Sequence, residues 1–128
     1  MDYTQYQPGV CNIGGAEVKR RRRFAQLGAL SFILFAIYAV TKNLAPASAA
    51  ISFFPAMIAS VGYVQSRKKF CLAFGLTGTF NFAELGKISR VATREDIARD
   101  RAQALKIIFQ SVVLAAFATA VLLALLSR

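Results

Sequence analysis

Three stretches of the chain, residues 24–41, 44–64 and 105–126, run almost without charge: Lys106 is the single Asp, Glu, Lys or Arg among them. At about 1.5 Å per residue, helices of these lengths match the roughly 30 Å hydrocarbon core of a bilayer. Lipid offers the backbone no hydrogen bonds, so a spanning segment must be a helix or part of a closed barrel, and these runs are too long for barrel strands. The sequence therefore predicts an all-α integral membrane protein with three transmembrane helices. Its composition, 56% hydrophobic with a mean hydropathy of +0.49, is too apolar for a domain whose outer face meets water.

The basic residues set an expected orientation. Lys19, Arg20, Arg21, Arg22 and Arg23 stand directly against the apolar run that begins at Phe24, and nine more lie between Arg67 and Lys106. Only Lys42 and Arg128 fall on the other side, a division of 14 against 2. By the positive-inside rule the N-terminal tail (1–23) and the 65–104 segment are expected in the cytoplasm and the C-terminus outside, as in a multi-pass protein of a bacterial-type inner membrane. Lys19, Arg20, Arg21, Arg22, Arg23, Arg67, Lys68 and Lys69 read as topological anchors that also attract anionic lipids. Arg21, Arg22 and Phe24 fit the twin-arginine export pattern as well. Cleavage after that first span would release a product opening on another apolar run, so a retained helix is the better reading.

Along the tail, Tyr3, Tyr6, Pro8, Gly9, Gly14 and Gly15 break any helix before residue 15, and Glu17 suits the first turn of a helix starting there, with Arg20 and Arg21 in pairing range. In the second span Pro46 falls in the first turn and Pro55 predicts a kink near the middle. Ser48, Ser52, Ala56 and Ser60 recur every four residues, as do Ala116, Ala120 and Ala124 in the third span, stripes that suit a helix-helix seam. Between residues 70 and 82, Phe70, Leu72, Phe74, Leu76, Phe80 and Phe82 alternate with small or polar residues. That period of two predicts a short interfacial strand or a hairpin turning near Thr77 and Gly78, with a short interfacial or re-entrant helix as the alternative; Phe70, Phe74, Phe80 and Phe82 are its candidate partner contacts. Thr93 is a candidate N-cap, and no Pro or Gly follows it, so residues 94–126 are expected to form one helix whose first three turns project from the membrane.

Little catalytic chemistry is on offer. Histidine is absent, which removes the commonest general base and metal ligand, and the spans lack the ionisable groups at depth that ion-coupled carriers use. No cofactor is expected. Cys11 and Cys71 are weak candidates for metal binding or redox sensing, since two thiols make an incomplete zinc site. Gln110 reads as a hydrogen-bonding residue between helices, and Glu84, Glu95, Asp96 and Asp100 as solvated surface charge. The basic runs lack interleaved aromatics, so nucleic acid is not an expected partner. The expected function is that of a small non-catalytic membrane subunit that stabilises or regulates a larger complex. The alternatives are an oligomeric small transporter or channel, built from a homo-oligomer, and a cytoplasmic-face thiol or metal-handling protein.

Overall fold

The computed structural model describes residues 5–128, so residues 1–4 of the tail, Tyr3 among them, lie outside the described residues. Helix α1 runs from Gly15–Thr41; a 3-10 segment, Pro46–Ser52, leads into α2, Phe53–Lys68; a short α3 covers Leu72–Thr77; and α4 is one helix over Arg94–Leu126. Two short strands, β1 (Thr79–Phe80) and β2 (Ser89–Arg90), pair antiparallel. The structure thus has three helices long and apolar enough to cross a membrane, α1, the 3-10 segment with α2, and α4, together with a small sheet absent from an all-α description.

The ends of these elements follow local chemistry. Thr93 caps α4 by accepting from the Asp96 N–H at 3.2 Å, and Glu95 and Asp96 sit in the first turn, where the helix dipole favours negative charge. Pro55, instead of kinking a long helix, stands in the first turn of α2, where its missing N–H is harmless. The turns before it wind as 3-10, so the interruption expected from the proline appears as a change of helical pitch.

Helices α1 and α2 approach by contact of backbone on backbone. A Cβ on Gly28 would stand 2.5 Å from the Ala59 nitrogen, and one on Gly62 would stand 2.7 Å from both the Ala25 nitrogen and the Arg21 carbonyl oxygen. Glycine at these two crossing points lets the helices touch, and in a bilayer, where lipid supplies no hydrophobic drive to hold them, dispersion over such a close interface would do so. On α2 and its 3-10 lead, Ala49, Ser52 and Ala56 face inward, and Ser48 and Ser60 are half-buried. The hydroxyls of Ser52 and Ser60 bond to carbonyls of their own helix, at Ala49 and Ala56. On α4 the inward positions are Ala104, Ile107, Ser111, Ala115 and Leu122, whereas Ala116, Ala120 and Ala124 stand exposed on the outer side. Alanine is frequent enough in this helix that its spacing did not fix which phase of the helix turns inward.

The alternating segment resolves into both of its alternatives in succession. Residues 72–77 are helix, and only residues 79–81 are extended, with a loop to β2 in place of a turn at Thr77 and Gly78. Six residues of helix place Phe70 against Gly75 and turn Phe74 inward, a pattern that reads equally well as period two over so short a span. The first turns of α4 do not project freely. They form the spine of a compact head on the basic side, packed against α3 with Phe70, Ala104, Ile107 and Val64 as a core.

Gly62→Leu is expected to lower stability in detergent by about 1 to 3 kcal/mol through overpacking, while Ala120→Leu on the exposed side shifts it by less than about 0.5 kcal/mol. Thermal unfolding followed by circular dichroism measures both, and equal melting of the two variants would contradict the seam described.

Candidate functional site

The head owes its form to polar groups that the chain buries and satisfies. The N-terminal segment, residues 5–14, crosses it and is held at three places. The first is Asn12, fully buried, whose side-chain oxygen accepts from the Cys71 N–H at 2.7 Å and whose side-chain nitrogen donates to the Cys71 carbonyl at 3.1 Å. Its backbone N–H donates to the Lys69 carbonyl at 3.2 Å, and its carbonyl accepts from the Asn81 N–H at 2.9 Å. A single residue thereby ties the tail to the α2–α3 link and to the end of β1. The left-handed conformation of Lys69, φ 53°, turns that link so that its carbonyl meets the tail.

Asn81, also buried, is the second. Its carbonyl accepts from the Gly14 N–H at 2.8 Å, and its side-chain nitrogen donates to Glu17 Oε1 at 3.2 Å and to the Glu84 carbonyl at 3.0 Å. Glu17 lies in the first turn of α1, 2% exposed, and its other oxygen pairs with Arg21. A carboxylate buried so deeply is tolerable only when paired and hydrogen-bonded, and here it is both, with the helix dipole adding to the same effect. Arg21 completes the cluster: Nη2 donates to Cys71 Sγ at 2.9 Å and the guanidinium lies over the Phe74 ring, 5.6 Å from its centroid. Of the five tail cations, Arg21 is therefore turned inward, while Lys19, Arg20, Arg22 and Arg23 are not.

The third is Asp100 on α4, fully buried. It accepts from the Tyr6 hydroxyl at 2.6 Å and from the Gly9 N–H at 2.7 Å. The Tyr6 ring stacks on Phe80, centroids 4.4 Å apart, and Phe80 meets Phe82 at 6.5 Å. Loss of hydration pushes the Asp100 carboxyl above its ordinary value, with the hydrogen bonds from Tyr6 and Gly9 pulling down and the charge of Asp96 adding to the rise. Burial, and then the bond to Asp100, raises the Tyr6 phenol in turn.

These placements bear on each residue singled out by sequence. Cys11 and Cys71 are both buried and carry no disulfide. Cys11 Sγ donates to the Gln5 carbonyl at 3.3 Å, and Cys71 packs with Ile13 and Val18. Among the described residues no three His, Cys, Asp or Glu side chains come together as metal ligands would. The four phenylalanines of the alternating segment point into the chain rather than standing free: Phe70 is fully buried, and Phe74, Phe80 and Phe82 are half-buried against Arg21, Tyr6 and one another. Asp100 is a correction, since the sequence reading takes it as solvated charge. The signal for it was faint, the lone acid following Glu95 and Asp96 on the inward side of α4. Arg67 is exposed, Lys68 and Lys69 are half-buried, and Gln110 is exposed on the wall of a groove between α2 and α4.

Chemically, the arrangement holds a strap in place. Its carboxylates are committed to Arg21, Asn81, Tyr6 and Gly9, so neither is presented to a substrate as an acid or base. Comparison of the chain with protein-family models, with curated proteins and with solved structures finds no match.

Asn12→Ala leaves the Cys71 N–H buried without its partner and takes one of two donors from the Cys71 carbonyl, and is expected to cost about 1 to 3 kcal/mol. Limited proteolysis would then cut residues 5–14 before the rest of the chain; a tail as protected as in the unaltered protein would refute the pinning role. Asp100 gives a pH dependence of definite sign. Its folded value lies above the ordinary 3.8, so its contribution to stability is complete below that value and is lost as pH rises through the folded one. The stability of the protein relative to Asp100→Asn should therefore rise as pH falls from neutral to about 4, measured by denaturant titration in detergent; a constant difference would show that Asp100 titrates as in water.

Proposed function

We propose that the chain is a small non-catalytic subunit of a larger assembly in a bacterial-type inner membrane, with its basic head in the cytoplasm and its C-terminus outside. The observation that carries this reading is the commitment of the buried polar side chains of the head, Asn12, Glu17, Arg21, Asn81 and Asp100, to holding the chain's own tail. A protein that invests its polar groups in a rigid head, and leaves long apolar helix faces outside, is built to present a shape to neighbours rather than to turn over a substrate.

Orientation is supported by the 14 to 2 division of basic residues. For docking, α4 supports the reading best. Phe109 and Phe117 are 70% exposed, and Ala116, Ala120 and Ala124 beside them leave room for a helix to approach closely. Regulation or stabilisation of the partner would act through that face and the head together, since α4 is continuous between them. The channel reading has less support, because the Ser52 and Ser60 hydroxyls are turned to their own helix's carbonyls.

Solubilising native membranes in mild detergent and recovering the chain through a C-terminal tag is expected to bring down a second membrane protein in fixed stoichiometry. Ala120→Phe should reduce that recovery at least severalfold while leaving the melting temperature of the isolated chain unchanged. Recovery of the chain alone would overturn the proposal.

A further inference from the structure

Two apolar grooves flank one residue of α2. The first, about 360 Å³, lies between α2 and α4, with Val64, Phe109 and Val113 in its walls. The second, about 640 Å³, lies between α1 and α2, its walls formed by Ala25, Ala29 and Ala59 with the polar Gln26, Ser60 and Ser66 among them. Tyr63, Arg67 and Leu114 line both, so the grooves meet at a ridge formed by Tyr63, which is 53% exposed. Arg67 follows Tyr63 by four residues and so stands one turn further toward the basic side on the same face of α2. Lys68 lines the first groove and Arg22 the second.

The charges around this junction meet no carboxylate partner among the described residues. No Asp or Glu occurs anywhere between Glu17 and Glu84, and Glu17 is already bound to Arg21 and Asn81. Among the described residues the ion pairs are Glu17 with Arg21 and Glu84 with Lys87, and no carboxylate of these residues pairs with Arg22, Arg67 or Lys68. Three cations gathered where two apolar lanes converge, at the basic end of helices fit to cross a membrane, call for a ligand with one anionic group and two hydrocarbon chains.

We propose that this surface is a binding site for a single diacyl anionic glycerophospholipid, its phosphate on Arg67 between Arg22 and Lys68, and one acyl chain on each side of Tyr63. The guanidinium of Arg67 suits a phosphate because it donates in a planar fork, and a basic recess between helices at the membrane surface is a setting in which anionic headgroups are held. A zwitterionic lipid brings its own cation into the same cluster and is disfavoured. A single-chain lipid leaves one groove empty. This inference stands apart from the subunit reading, since it concerns the isolated chain.

Native mass spectrometry of the full chain, released from detergent after addition of stated lipids, tests it. One molecule of dioleoyl phosphatidylglycerol should remain bound in preference to dioleoyl phosphatidylcholine and to lysophosphatidylglycerol, and inorganic phosphate should not displace it. Arg67→Ala should lower that retention about fivefold, the effect of losing one cation near an anionic headgroup, with Arg67→Lys keeping most of it and Arg90→Ala, an exposed cation of β2 that lines neither groove, leaving it unchanged. Leu114→Trp fills the wall common to both grooves without touching the charges, and should also reduce retention. Equal retention of the two diacyl lipids, equal losses from Arg67→Ala and Arg90→Ala, displacement by phosphate, or indifference to Leu114→Trp in a protein whose circular dichroism is unaltered would each overturn the proposal.

Discussion

The paired hydrogen bonds between the Asn12 side chain and the Cys71 backbone join segments 59 residues apart, and the order of the whole basic head depends on them. An asparagine side chain is a primary amide, and here it takes the place that a neighbouring strand would take, offering an acceptor to the Cys71 N–H and a second donor to the Cys71 carbonyl, which also accepts from the Gly75 N–H at 2.9 Å. Its own backbone continues the pairing to Lys69 and Asn81, which in turn positions the amide of Asn81 against Glu17. Buried polar groups in such a chain strengthen one another when all are satisfied and are costly when any is not. That dependence explains why so small a head is specific: the α2–α3 link, the end of β1 and the first turn of α1 have one mutual arrangement that leaves no polar group stranded.

Two different kinds of packing meet in this molecule. Among the long helices, small residues at Gly28, Ala59 and Gly62 bring backbones together, as suits surroundings in which apolar side chains gain little from leaving their solvent. In the head, Phe70, Ile13, Val18, Ala104 and Ile107 gather as they would in a water-soluble domain. Helix α4 belongs to both. Its first three turns carry Asp100 and Ala104 into the head, and its remainder carries Ser111, Ala115 and Leu122 along the other helices.

What the sequence made legible were the features governed by local rules. The apolar runs, the start of α1 at Gly15, the pairing of Glu17 with Arg21, the Thr93 cap and the unbroken course of α4 each follow from residues within a few positions of one another. What stayed hidden depends on distant partners. The alternation from Phe70 to Phe82 did not reveal that its first half coils, because the choice is made by Phe70 packing on α4 and by the Gln65 side chain accepting from the Leu72 N–H at 2.9 Å. The phase of α4 was obscured by the abundance of alanine. Asp100 resembled any acid near a helix start until Tyr6, 94 residues earlier, was seen to donate to it. The residues of the strap itself, 5–14, stood out only as a run with no obvious place in a helix.

The strap also sets an order of events. Residues 5–14 are made well before the groups that hold them, at Lys69, Cys71, Asn81 and Asp100. While the ribosome is still producing the second long helix, the tail has none of these partners, and Lys19, Arg20, Arg22 and Arg23 stand beside the first helix without the head. Closure of the head around all of these partners therefore waits for Asp100, and a fully latched tail marks a molecule whose synthesis has reached at least as far as α4.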